Sequence, residues 1–273
     1  MMHDFGRRPI EATTSVNGSA RPSQSQSMKD TVSIRLSVVI PAYNEERRLS
    51  RTLEDVLSYL GDQEYRSEVI VADDGSTDST ARLVQDWRPG PVPLRLMSHP
   101  DGRNHGKGAA VRLGMLNARG RFRLFMDADN STTVDHVERF WRFFYEGYDV
   151  VIGSRGMKES VFEAQQPWYR KMAGEGGNLF IRSFAVPGIL DTQAGFKMLT
   201  DSCTEDVFQR LTIDRWGFDV EVLAVARHRK HRIKEVPITW NNDPEGKVTF
   251  KTYFEVLGEV WRVRRNIKSG IYD

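Results

Sequence analysis

The chain has 273 residues, with 39 Lys and Arg against 37 Asp and Glu and a formal charge of +2. Apolar residues at 39% and charged residues at 28% describe a globular chain long enough to bury a full core, not a disordered or membrane-spanning one. One cysteine, Cys203, excludes an internal disulfide framework and a cysteine-rich zinc site, which fits a reducing cytoplasm.

Residues 1–32 are rich in Ser, Gly, Arg and Gln without apolar periodicity, so they read as a disordered tail that cannot repay the entropy of ordering. No run approaches the roughly 18 apolar residues that cross a bilayer, and the N-terminus lacks the apolar core of a signal peptide. The expectation is a soluble protein of the cytoplasm, or one peripheral at the inner face of its membrane.

Order begins at Leu36-Ser37-Val38-Val39-Ile40, a β-branched run closed by Pro41 that predicts a buried strand. Leu49, Leu53, Val56, Leu57 and Leu60 follow at helical spacing, and Glu68-Val69-Ile70-Val71-Ala72 reads as a second strand, completing a βαβ unit. After Asp73-Asp74-Gly75, Ser76 is placed to cap a helix running to about Trp87. Leu94-Arg95-Leu96-Met97 reads as the next strand and Lys107 to Ala118 as the next helix. Arg121 to Met126 then runs as a strand into Asp127-Ala128-Asp129. A helix over Val134 to Tyr145 and a strand over Asp149 to Ile152 complete an alternation that implies a mostly parallel sheet with helices on both faces.

The second half is less regular. It reads as a helix near 169–185, a loop through Asp191-Thr192-Gln193, a helix from Phe218 to Arg227, a strand from Arg232 to Trp240 and a closing amphipathic helix over 249–267. The expected organisation is a tail at 1–32, a domain at 33–245 and a C-terminal amphipathic basic helix at 246–273, packed on or beside that domain.

In open α/β sheets ligands gather at the C-terminal ends of strands, where helix N-termini face bound anions. Four motifs occupy such places: Pro41-Ala42-Tyr43-Asn44-Glu45, Asp73-Asp74-Gly75-Ser76, Gly106-Lys107-Gly108 and Asp127-Ala128-Asp129. Each has an ordinary structural reading as a turn, a cap, a basic loop or an acidic loop. Together, at successive strand ends, they describe a ligand site. Adjacent carboxylates need a compensating partner, and Mg²⁺ or Mn²⁺ held by one or two of them and completed by substrate phosphates would serve. Lys107 supplies a point charge to a diphosphate.

With these residues, and with Gly153-Ser154-Arg155, the chain resembles the family 2 glycosyltransferases from about Leu36 onward. Asp191-Thr192-Gln193-Ala194-Gly195-Phe196-Lys197 and Arg215-Trp216-Gly217-Phe218-Asp219-Val220-Glu221 resemble one branch of it, the dolichyl-phosphate β-glucosyltransferases and their polyprenyl-phosphate relatives. The resemblance implies the GT-A (Rossmann-like) α/β fold. It implies Pro41, Ala42, Tyr43, Glu45, Asp73, Asp74 and Gly75 around the nucleoside, Lys107 and Asp127 near ribose and diphosphate, and Asp127 and Asp129 on the metal. It also implies Arg155 and Arg170 on an acceptor phosphate, with Asp191 and Asp219 as candidates for orientation or proton removal. Some relatives carry Gly-Ala-Thr where this chain has Asn130-Ser131-Thr132, and many carry an N-terminal membrane anchor where this N-terminus is polar.

The implied reaction is inverting, metal-dependent transfer of a hexose, glucose above others, from a UDP-sugar to a polyprenyl or dolichyl phosphate. A soluble hydroxyl acceptor or GDP-mannose as donor are the alternatives, and a nucleotide-sugar-binding module without catalysis is the remaining one. Arg227-His228-Arg229-Lys230-His231 reads as a solvated helix end and not as a nucleic-acid patch. The closing helix carries Phe250, Tyr253, Phe254, Leu257, Val260 and Trp261 on one side with Arg262, Arg264, Arg265 and Lys268 at its end. It reads as docked on the core with a solvated basic end, or as lying on an anionic membrane surface.

Overall fold

The segment Leu36–Ala42 forms β1 and is buried along its whole length, which a strand achieves only with a layer on each face of its sheet. The computed structural model describes residues 33–158, 160–162, 186–241 and 255–273, with the backbone of 250–254. The expected tail over 1–32, the expected helix near 169–185 and Arg170 lie outside those residues.

In chain order the elements are β1, α1 (Leu49–Gly61), β2 (Ser67–Asp73), α2 (Thr80–Gln85), β3 (Leu94–Ser98), α3 (Lys107–Asn117) and β4 (Phe122–Met126). A short 3₁₀ turn at Val134–Val137 leads into α4 (Glu138–Tyr145), followed by β5 (Val150–Ser154) and β6 (Val161–Phe162). Then come β7 (Phe196–Thr200), α5 (Asp201–Phe208), α6 (Phe218–His228), β8 (Ile233–Pro237), β9 (Thr239–Trp240) and α7 (Phe250–Lys268).

Seven strands form one sheet in the order β3-β2-β1-β4-β7-β5-β8, and β6 pairs with β9 in a separate two-stranded ribbon. Within the large sheet β7 alone runs antiparallel, to both β4 and β5. The fold is therefore the mostly parallel α/β sheet that the alternation of elements implied.

Strand side chains alternate between the two layers. Val39, Ile70, Ala72 and Phe125 pack with residues of α3, α5, α6 and α7 on one face. Val38, Ile40, Val69, Val71 and Leu124 pack with α1 and α4 on the other. Val256, Val260 and Val263 bind α7 to the first of these cores.

Three local expectations change. Ser76 does not cap α2; its hydroxyl accepts from Asn44 N at 2.9 Å, while Asp78 accepts from Thr80 N at 2.9 Å and starts the helix three residues later than expected. The single strand expected from Arg232 to Trp240 breaks at Ile238, which crosses over Gly153 to join the ribbon. Finally, β7 and α5 were not anticipated, because the lysine in Phe196-Lys197-Met198-Leu199-Thr200 hides a strand that is buried from Phe196 to Leu199.

Candidate active site

Inserting an antiparallel strand between β4 and β5 has a geometric consequence: β7 begins at the edge where its neighbours end. Asp73, Ala42, Met126, Phe196 and Ser154 thus terminate or begin five adjacent strands on one side of the sheet. Loops leaving that edge carry the acidic and basic motifs, so residues more than a hundred positions apart share one surface.

At the left of this edge, Ala42 pairs with Asp73 and Pro41 with Ala72. Asn44 takes φ of 53° and its side chain accepts from Thr77 N at 2.8 Å, lacing the loop after β1 to the loop after β2. Tyr43 is exposed. Glu45 forms an ion pair with Arg48 at 2.6 Å and its backbone N–H donates to Thr80 Oγ1 at 2.8 Å, so it stands at the entry to α1. The buried Asp73 carboxylate accepts weakly from Ser76 N, at 3.3 Å. Asp74 accepts from Asn104 Nδ2 at 2.7 Å, His105 N at 2.9 Å and Gly106 N at 2.8 Å. It is thus a clamp on the loop before α3, a role that the sequence does not reveal. Gly75 has φ of 73°, and a Cβ added there would meet the backbone carbon of Arg103 at 2.7 Å, so the two loops meet without room for a side chain.

Lys107 opens α3 and pairs with Asp127 Oδ1 at 2.6 Å. Its ammonium lies 5.7 Å from the centroid of the Trp216 ring and 5.9 Å from that of Phe218. Burial works against its charge, but Asp127, Asp219 and Asp129 outweigh this and hold its pKa above the ordinary lysine value. Gly106 and Gly108 are required by packing. A Cβ on Gly106 would meet Asp214 O at 2.5 Å and one on Gly108 would meet Phe218 Cβ at 2.6 Å, so these glycines let the 213–218 segment close over the start of α3.

Asp127 follows β4 and its N–H donates to Gly195 O at 3.1 Å. A Cβ at Gly195 would fall onto the Asp127 carboxylate. Asp129 accepts from Ser131 N at 2.9 Å; burial, then the Asp127 charge, push its carboxyl above the ordinary range. This is the signature of two carboxylates lacking enough positive charge, and it fits a divalent cation. Among the described residues no group of three or more His, Cys, Asp or Glu side chains is placed to hold a metal. Such an ion would therefore rest on Asp127 and Asp129, with oxygen ligands from substrate or water.

On the right of the edge, Arg155 leaves β5 and forms a two-pronged pair with Asp191, Nε to Oδ2 at 2.7 Å and Nη2 to Oδ1 at 3.0 Å. Arg155 N also donates to Oδ2 at 2.9 Å. Burial opposes ionisation of Asp191, but Arg155 overrides it and holds the carboxyl below the ordinary range. Asp219, at the start of α6, is buried in an ion pair with the fully buried Lys197, whose ammonium also donates to Ala194 O at 2.6 Å. Both candidate proton acceptors are thus already committed to cations. Lys197, Gly195 and Glu235 have roles that sequence reasoning did not assign; the first two stood inside a recognised motif, whereas Glu235 carried no signal.

Four carboxylates, Asp127, Asp129, Asp191 and Asp219, face three cations, Lys107, Arg155 and Lys197. The cluster carries one net negative charge, and a dication would make it net positive, suited to phosphate oxygens.

The model of "Glycosyl transferase family 2" matches residues 37–201. The chain is 36% identical over 240 residues to a dolichyl-phosphate beta-glucosyltransferase of Drosophila melanogaster, covering 82% of this chain and 72% of the relative. It is 32% identical over 246 residues to a protein of the same name from Trichomonas vaginalis, covering 86% and 74%. Among solved structures it is similar to glucosyl-3-phosphoglycerate synthase from Mycobacterium tuberculosis in complex with Mn²⁺, UDP-glucose and phosphoglyceric acid. That similarity has a TM-score of 0.60 at 16% identity, covering 90% of this chain and 86% of that one. The last likeness speaks for the GT-A fold alone.

Proposed function

The chain belongs to glycosyl transferase family 2 and is a glycosyltransferase, and from that premise we propose that it transfers glucose from UDP-glucose to a dolichyl or other polyprenyl phosphate with inversion at the anomeric carbon. The observation that carries this reading is the arrangement at the sheet edge. A carboxylate pair with Lys107 lies on one side of Gly195, and an oriented arginine lies on the other. The relatives' names support dolichyl phosphate as acceptor and glucose as the sugar.

The donor nucleoside lies against Pro41, Ala42, Tyr43 and Asp73, with its diphosphate toward Lys107, whose charge is kept by the surrounding carboxylates. Arg155 holds the acceptor phosphate, using the part of its guanidinium that Asp191 leaves open. An acceptor phosphate oxygen attacks the anomeric carbon, the bond from that carbon to the diphosphate breaks, and its electron pair leaves on UDP. Mg²⁺ or Mn²⁺ on Asp127 and Asp129 would supply positive charge to the departing diphosphate. A phosphate acceptor is already anionic near neutral pH, so no side chain has to remove a proton. That matches the commitment of Asp191 and Asp219 to cations.

Among the described residues no helix is long and apolar enough to cross a membrane. An acceptor with a long hydrocarbon chain would bring the reaction to a membrane surface. Incubating the purified protein with UDP-glucose, Mg²⁺ or Mn²⁺ and a short polyprenyl phosphate tests the reading. UDP and an acid-labile glucolipid are expected. UDP release that instead requires a soluble acceptor, with no glucolipid formed, overturns it.

A further inference from the structure

The Asp191 carboxylate is held in place from below as well as from the side. Glu235, on β8, pairs in register with Ile152 of β5. Its carboxylate accepts from Leu190 N at 2.8 Å through one oxygen and from Asp191 N at 3.0 Å through the other. Glu235 therefore fixes the peptide that carries Asp191, and Asp191 fixes both the backbone N–H and the guanidinium of Arg155. Gln193 N adds a longer bond to Asp191 Oδ1 at 3.3 Å.

The guanidinium has five N–H donors, of which Asp191 takes two along the edge formed by Nε and Nη2. The Arg155 side chain is 30% exposed and that of Asp191 5%, so the carboxylate is the more deeply buried partner and the arginine the one that reaches the surface. The guanidinium also stands 5.5 Å from the centroid of the Trp240 ring, in the strand immediately after β8. Two consecutive strands, β8 and β9, thus set the height and tilt of one arginine.

We propose that Glu235 and Asp191 are positioning residues for the acceptor phosphate: Glu235 locks the 190–191 peptide to the sheet so that Asp191 presents Arg155 with its remaining N–H edge fixed toward the acceptor. This rests on the reading of Arg155 as the phosphate-binding residue. It differs from a structural role because it predicts an effect on one substrate only. A bidentate donor held rigid binds a phosphate without having to lose side-chain freedom, whereas a loosened one does.

The test is steady-state kinetics of the full chain with UDP-glucose and a short polyprenyl phosphate in detergent, for Glu235→Gln, Glu235→Asp and Asp191→Asn. Glutamine offers one acceptor oxygen for two backbone donors, and asparagine offers one for the two guanidinium donors. Expected is a rise of about tenfold in KM for the polyprenyl phosphate in Glu235→Gln and more in Asp191→Asn, with KM for UDP-glucose within about twofold of the parent. Glu235→Asp should recover part of the loss. UDP binding, measured separately by calorimetry, reports whether each variant is folded at the donor side. Variants that bind UDP normally and lose kcat with both KM values unchanged would overturn the proposal. A parent protein that makes no glucolipid would instead defeat the assignment of the acceptor, which the same assay reveals before any variant is read.

Discussion

Lys107 Nζ stands 2.6 Å from Asp127 Oδ1, joining the first residue of α3 to the residue that follows β4. The pair divides the labour of the acidic motif. Asp127 is partly neutralised by the ammonium, whereas Asp129, pushed up by burial and by its neighbour, is the carboxylate most in need of a cation.

Asp129→Ala is expected to lower turnover by a factor of about 10² to 10³, the range for losing a leading electrostatic contact to a leaving group. The bond from Ser131 N is lost with it, but so is a buried charge disfavoured by burial and by Asp127, so the two effects oppose each other and stability should change by no more than about 1 kcal/mol. Chelation of divalent ions should silence the parent enzyme and Mn²⁺ or Mg²⁺ should restore it. Near-normal glucosyl transfer by the variant, or activity indifferent to chelator, would remove the metal assignment.

Gly195→Ala probes packing and not charge. Its methyl group would land on the Asp127 carboxylate, so the carboxylate or the strand start must move, and displacement near an ångström is enough to cost about 10²-fold in rate. Gly90→Ala, where nothing lies within 4 Å of the new methyl, is the matched control. Equal kinetics for the two variants would contradict the close contact.

His136 provides a pH signature of stability. Its Nε2 accepts from Thr239 N at 3.0 Å and its Nδ1 lies 3.1 Å from Thr133 O, a pattern that requires the neutral ring with hydrogen on Nδ1. Burial is the leading reason its pKa lies below the ordinary histidine value. A depressed value means that the unfolded chain takes up a proton before the folded one does. The contribution is thus complete above about pH 6.5 and declines as pH falls through and below that point. Urea midpoints from pH 8 to 5 should drop in the parent and flatten over the same window in His136→Gln. An unchanged slope in the variant would assign the pH dependence elsewhere.

The C-terminal end is tied to the wall of the site. Tyr272 is fully buried, its hydroxyl donates to Glu221 at 2.5 Å, and Glu221 accepts from Thr212 N and Ile213 N at 2.9 Å each. These bonds hold the segment that closes over Lys107. Tyr272→Phe should cost about 1 kcal/mol in denaturant unfolding while leaving KM for UDP-glucose within about twofold. A larger kinetic than thermodynamic effect would show that the terminus acts on the site directly.

Much of the proposed donor half could be read from the sequence because its residues lie next to strong local signals. Val38-Val39-Ile40 and Val69-Ile70-Val71 announce buried strands, and the polar residues after each run must stand at strand ends. The alternation of these strands with helices restricts the topology to a parallel sheet with right-handed crossovers. The proposed acceptor half was less legible. Phe196 to Thr200 does not read as a strand, since the charge that compensates the burial of Lys197 comes from Asp219, 22 residues later. Glu235 looks like any polar residue of an edge strand until the 190–191 peptide is laid over it.

By itself, then, the amino-acid order determined the α/β class and the residue types gathered at the strand ends, because hydrophobic period and turn chemistry are local properties, while the motifs at those ends carried the resemblance to the family. Only the tertiary structure decided that β7 runs backward between β4 and β5, bringing Gly195 against Asp127 and Asp191 beneath Arg155. That arrangement depends on contacts between distant segments, and so do the charges. Asp191 and Asp219, which the resemblance offers for orientation or proton removal, each prove to be paired with a cation, because a buried carboxylate is stable only beside a compensating charge.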